Sequence, residues 1–201
     1  AIHMWTRRLP GGLSIGTVIM CIIFAASTGV IGATETVVGL LAIPAMLKHN
    51  YSHSLISGTI CAGGSLGTII PPSVVVVVLG PIADVSIGDL MVGMLIPGLI
   101  LALLYIIYIF LLCLVKPENG PRINTDDEIS RLTLNQKLII TVKALIPPLL
   151  MIFAVLGSIM LGWAAPTEAA ALGAAGSILL SIFYKKLNWQ TFKEALIKTI
   201  T

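Results

Sequence analysis

The chain of 201 residues carries 12 Lys and Arg against 9 Asp and Glu, a formal charge of +3, and is 57% hydrophobic but only 10% charged. With a mean hydropathy of +1.02, this composition excludes an ordinary soluble domain and indicates an integral membrane protein. The small basic excess sits mostly in loops and at ends, which reads as membrane topology and not as nucleic-acid binding.

In chain order, Arg7 and Arg8 precede apolar sequence that runs too long, and without a small-residue cleavage site, for a removable leader. Leu13 to Ser27 is an apolar segment of about fifteen residues, roughly 22 Å of helix against a hydrocarbon core of ~30 Å. It stops at small polar residues, Ser27-Thr28-Gly29 and Gly32-Ala33-Thr34-Glu35, before a second short segment, Thr36 to Leu47. Two short helices around such a tip predict a re-entrant hairpin over about 12–48, with Arg7, Arg8 and Lys48 all on the cytoplasmic side.

A broken span is expected next, over about 54–80, with its discontinuity at Gly63 to Ser73. Pro71 and Pro72 offer no backbone N–H, their rings crowd the preceding turn, and Ile70 is pushed out of the helical region. Backbone freed at bilayer depth survives only where protein, ions or a polar solute satisfy it. The loop from Gly80 to Asp89 has acidic residues but no Lys or Arg, as an external loop should, and a long span over about 90–115 returns inward.

Residues 116–143 are hydrophilic and read as a cytoplasmic linker, with Asn124 to Glu128 placed to cap a short amphipathic helix containing Ile129, Leu132 and Leu138. Residues 144–201 begin a second membrane half. Its spans run over Ala144 to Leu161 and about Pro166 to Tyr184, before an interfacial amphipathic segment, Asn188 to Thr201. The fold class is therefore an all-α, multi-span helical bundle with a re-entrant hairpin and a discontinuous helix. Because transporters use such elements in inverted pairs and only one of each is present, the chain reads as a fragment, about half of a full subunit.

Three groups of residues have the chemistry for a site. At the hairpin tip, Ser27, Thr28, Gly29, Gly32, Thr34 and Glu35 combine hydroxyls with a helix end, where carbonyls can coordinate Na⁺. Small residues that merely allow close helix packing are the alternative. Glu35, an ionisable group costing on the order of 3 kcal/mol or more at depth, is either a ligand or a residue hydrogen-bonded to the hairpin backbone. At the break, Gly63, Gly64, Ser65, Gly67, Thr68, Pro71, Pro72 and Ser73 offer freed carbonyls to a cation and helix-opening N–H groups to a carboxylate, the alternative being a proline kink with packing glycines.

Third, Thr167-Glu168 echoes Thr34-Glu35, either as an inverted repeat or as a plain helix start with Pro166 in its first turn. His49 and His53 lack companion ligands, and Cys21, Cys61 and Cys113 read as small buried residues, so no cofactor, disulfide or resident metal is expected. With no nucleophile or metal set beside either carboxylate, the residues do not describe an enzyme.

Leu9-Pro10-Gly11-Gly12-Leu13, Gly39 to Met46, Gly58 to Gly64 and Ile70-Pro71-Pro72-Ser73 closely resemble the large membrane subunit of tripartite ATP-independent periplasmic (TRAP) transporters. So do Ser86 to Leu90, Leu95-Ile96-Pro97-Gly98 and Ala165 to Ala171. The resemblance implies a Na⁺-coupled, elevator-type importer in the bacterial inner membrane. It also implies an organic-acid solute delivered by a periplasmic solute-binding protein, a small membrane subunit as partner, and a Na⁺ site at the hairpin tip and broken helix. Many members have a serine pair in the tip where this chain has Gly29 to Thr34, which leaves the ligands unassigned. A binding-protein-independent dicarboxylate or ion carrier, or a non-transporting structural subunit, are the competing readings.

Overall fold

The computed structural model describes residues 3–6, 9–122, 134–184 and 187–200, and the regular structure there is all helical. Arg7-Arg8, the cap at Asn124 to Glu128 with Ile129 and Leu132, and Lys185-Lys186 lie outside the described residues. The helices are α1 (His3–Thr6), α2 (Gly12–Thr28), α3 (Ile31–Lys48), α4 (His53–Ile69), α5 (Val74–Ala83), α6 (Ile87–Val115), α7 (Leu134–Met160), α8 (Pro166–Phe183) and α9 (Trp189–Ile200), with a 3-10 turn at Pro117–Asn119. Two compact units divide the chain, Ala1–Leu149 and Leu150–Thr201.

In the first unit α2, α3 and α4 pack on one another, and α6 lies against α2, α4 and α5. Val18, Cys21 and Ala25 of α2, Val38, Ala42 and Met46 of α3, and Leu66 of α4 make the core. Among the described residues three helices are long and apolar enough to cross a membrane, α3, α6 and the Leu138–Ile159 part of α7; α4 with α5 makes a fourth if that bent pair is one span.

The hairpin turn is shorter than its composition suggests, because helix takes in all of the polar tip except Gly29 and Val30. The hydroxyl residues satisfy themselves inside the helices. Ser27 and Thr28 donate to the carbonyls of Ile23 (2.9 Å) and Phe24 (3.0 Å), and Thr34 and Thr36 to those of Val30 (3.1 Å) and Gly32 (2.7 Å). Gly29, at φ 63°, ends α2 with its N–H on the Ala25 carbonyl, a left-handed cap that glycine adopts without steric cost.

The discontinuity is likewise confined to Ile70 to Ser73, with a bend of 41° between α4 and α5 and a cis peptide bond at Pro71-Pro72. Gly63, Gly64 and Gly67 sit inside regular α4 and do not form part of the break. A glycine costs a helix about 1 kcal/mol, which packing readily overrides, whereas two prolines remove donors that nothing can replace.

Register fixes how deep the hairpin reaches. At one end the Leu13 N–H donates to the Tyr51 hydroxyl (3.2 Å), joining the starts of α2 and α4. At the other end Gly29 meets Pro72. The tip therefore stops level with the break, and α5, ten residues or roughly 15 Å of helix, continues past it. That is the geometry of a re-entrant hairpin beside a broken span.

The sequence after α6 is tied back to the hairpin base: Ser52 N–H donates to the Asn119 carbonyl (3.0 Å) and Gly11 N–H to that of Gly120 (3.1 Å). Helix α7 begins at Leu134, taking in residues expected to be linker, Leu138 among them. In the second unit Gly173 and Gly176 of α8 face Val155 and Met151 of α7. The Glu168 carboxylate accepts from the Ala165 N–H at 3.0 Å, capping α8.

Candidate functional site

The two interruptions of the first unit are in direct contact. A Cβ on Gly29 would run into the Pro72 carbonyl oxygen, and one on Gly67 would lie 3.2 Å from the Val30 carbonyl and 3.3 Å from the Ile31 nitrogen. One turn down α4, Gly64 lies under the Glu35 side chain and Gly63 under the Cys21 sulfur. From the opposite side Gly98 of α6 reaches the break, where a Cβ would stand 3.1 Å from the Ile69 side chain and 3.3 Å from its carbonyl. Hairpin tip, broken helix and α6 thus converge backbone to backbone, an approach that glycine alone permits.

Four helix ends meet there, and their dipoles decide what the place can bind. The last carbonyls of α2 have no donors within the helix beyond the Gly29 N–H on Ala25. In α4 the Gly67 and Thr68 carbonyls would receive N–H groups from residues 71 and 72, but both are proline. Facing these negative ends are the opening N–H groups of α3 and α5. Ser73 precedes α5 without capping it, and its hydroxyl, in a residue only 1% exposed, has no partner among the described residues. A buried hydroxyl without a partner is a vacancy in the hydrogen-bond balance of the site.

Of the residues singled out from sequence, the fold gathers Thr28, Gly29, Thr34, Gly67, Pro72 and Ser73. The Thr28 and Thr34 hydroxyls are 3.0 Å apart across the turn, and both oxygens keep lone pairs free. Ser27, Thr28 and Gly32 are exposed, while Thr34 is buried. Glu35 covers Gly64 and makes no hydrogen bond or ion pair among the described residues, so the backbone hydrogen bond, one of its two sequence readings, is not seen. Ser65 points elsewhere, donating to the Ala62 carbonyl (2.7 Å) and standing 3.4 Å from the Tyr105 hydroxyl of α6. Thr167 and Glu168 occupy the first turn of α8, whereas Thr34 and Glu35 lie later in α3, so the two pairs are not equivalent. No group of three metal-binding side chains includes His49 or His53 among the described residues.

Gly98 and Tyr105 carried no site role in the sequence. The Pro97-Gly98 pair inside a long apolar span is the signal that points to the first.

Residues 3–201 match the family described as the DctM component of the tripartite ATP-independent periplasmic transporters. The chain belongs to the DctM family. It is 34% identical over 193 residues to the C4-dicarboxylate TRAP transporter large permease protein DctM of Pseudomonas aeruginosa, covering 96% of this chain and 43% of that protein. It is 31% identical over 191 residues to an isethionate TRAP transporter permease protein of Oleidesulfovibrio alaskensis (94% and 29%), and 30% over 174 residues to an ectoine TRAP transporter large permease protein of Halomonas elongata (86% and 38%). The chain spans less than half the length of these curated relatives. Family and apolar helices together make this DctM-family chain a multi-pass inner-membrane protein, and the family's work is transport, not catalysis.

Proposed function

We propose that this DctM-family chain supplies one wall of the transport site of a Na⁺-coupled importer, and that the hairpin tip and the broken helix move together as part of an elevator-type transport domain. The observation that carries this reading is the contact of Gly29 with the Pro72 carbonyl, which holds two interrupted backbones against each other. Carbonyls ending α2 and α4 and the Thr28 and Thr34 hydroxyls supply oxygen ligands of the kind Na⁺ takes at discontinuous helices. Opening N–H groups of α5 and the unpartnered Ser73 hydroxyl suit an anionic solute group.

The solutes named for the relatives, C4-dicarboxylate, isethionate and ectoine, carry a carboxylate or a sulfonate. An organic anion delivered by a periplasmic binding protein, with a small membrane subunit completing the assembly, fits both the family and this end-on arrangement of helix dipoles.

The test replaces Pro71 and Pro72 with Ala in the intact subunit, assembled with its partners in proteoliposomes. Restoring two N–H donors closes the break, and Na⁺-dependent uptake is expected to disappear while membrane insertion is kept. Unchanged uptake would remove the break from the mechanism.

A further inference from the structure

A cavity lies on the face of α4 away from the hairpin tip. Its volume is about 360 Å³, and it runs between the first three turns of α4 and the last turns of α6. Gly63, Gly64 and Gly67 face the hairpin, while this cavity ends at Tyr105, so the body of α4 separates it from the hairpin tip.

Its chemistry is distinctive. Among the described lining residues there is no carboxylate, amine, guanidinium or imidazole. Ser54, Thr59, Tyr105, Tyr108 and Asn119 bring hydroxyls and an amide, and Leu55, Ala62 and Ile109 bring an apolar floor. Thr59 is 2% exposed, and its hydroxyl has no partner among the described residues. Among the described residues the Tyr105 hydroxyl has only the long 3.4 Å contact to Ser65, which leaves it capacity for a better bond. A small organic anion finds no counter-charge here. An amphiphile with a neutral, hydrogen-bonding middle and an apolar tail finds both surfaces it needs.

Position selects among amphiphiles. The cavity lies at the end of the bundle where Lys48, Lys116 and Arg122 gather, while Asp84 and Asp89 mark the other end, so the positive-inside rule places it at the inner leaflet. Tyr108 lines it yet is 63% exposed, so the cavity opens along the flank of α6 and is reachable sideways from a bilayer. Lys116 lies one turn beyond the lining residue Leu112 and is exposed, within reach of a phosphate at the mouth.

We infer that the groove between α4 and α6 is a binding site for an inner-leaflet glycerophospholipid. The glycerol–ester segment is held by Tyr105, Tyr108, Ser54 and Asn119, the upper acyl chain lies over Gly58 and Ala62, and the phosphate faces Lys116. Nothing in this inference depends on Na⁺ coupling or on the identity of the solute.

Gly58 provides the test. It lines the cavity, and a Cβ there would meet nothing within 4 Å, so Gly58→Leu starts a side chain in open space that occupies the groove, with better helix propensity. The intact subunit, delipidated in detergent, is titrated with phosphatidylglycerol or glycerol 3-phosphate and followed by native mass spectrometry, with thermal stability measured alongside. Wild type is expected to retain one phosphatidylglycerol that glycerol 3-phosphate does not displace. Binding should be roughly tenfold weaker in Gly58→Leu at unchanged melting temperature, and weaker in Tyr108→Phe, which removes only an exposed hydroxyl. Equal lipid retention by wild type and both variants, or displacement by glycerol 3-phosphate, would overturn the assignment.

Discussion

Gly29 and Gly32 differ by three positions and by everything that matters to a side chain. Gly29 holds φ 63° and has the Pro72 carbonyl where a Cβ would go, whereas Gly32 is exposed within α3 and has open space around it. Gly29→Ala should therefore cost about 1–2 kcal/mol in backbone strain alone, with more from the displaced Pro72, and a lower melting temperature should accompany lost uptake. Gly32→Ala should stabilise α3 by roughly 0.5–1 kcal/mol. If its melting temperature rises while uptake falls, Gly32 lies against the solute or ion; if uptake is unchanged, it belongs outside the site.

Between elements, the joint at the base of the hairpin is as specific as the one at its tip. The buried Tyr51 hydroxyl accepts from the Leu13 N–H, one of the opening donors of α2 that the helix cannot satisfy itself. Tyr51→Phe leaves that N–H unpaired in a buried place, at a cost of about 1–3 kcal/mol, read as a lower melting temperature. Burial is also the chief reason the Tyr51 phenol ionises above its ordinary range. A raised folded-state value means that its contribution to stability is full below the unfolded phenol pKa, near 10, and declines as pH rises through the folded value. Wild type should thus lose stability at alkaline pH, and Tyr51→Phe should lose less of it over that window.

Such joints explain which part of the site was legible in the chain. Proline cannot donate, whatever surrounds it, so the break at Pro71-Pro72 followed from covalent structure, whereas the small polar residues Ser27 to Glu35 marked a hairpin tip without placing its turn at Gly29 and Val30. The other glycines were ambiguous. Gly63, Gly64 and Gly67 look like helix breakers in isolation, and they are helical because Cys21, Glu35 and the Val30-Ile31 backbone fill the space beside them. Ser27, Thr28 and Thr34 read as a polar tip, and their hydroxyls instead bond back along the helices.

At the scale of the molecule, the charges sort by end. Lys48, Lys116 and Arg122 lie with the bases of α2 and α4, and Asp84 and Asp89 with the turn between α5 and α6. Single cysteines placed in a background without Cys21, Cys61 and Cys113 test the orientation this implies. A membrane-impermeant maleimide should label Val85→Cys in spheroplasts and Glu118→Cys only in inverted vesicles. The reverse pattern would invert both the hairpin and the leaflet assigned to the cavity between α4 and α6.

By itself the sequence determined the membrane as solvent, the all-helical class, the order of hairpin and broken span, and the interruption of the helix at Pro71-Pro72, though not that the break is confined to Ile70 to Ser73. These follow from apolar length and from proline's missing donor, both properties of the covalent chain. Only the tertiary structure decided that Gly29 meets the Pro72 carbonyl, that the glycines of α4 serve packing, and that Tyr105 and Thr59 share a cavity. Those facts depend on which faces of α2, α4 and α6 come together, and contacts between residues far apart in the chain leave no mark in its local pattern.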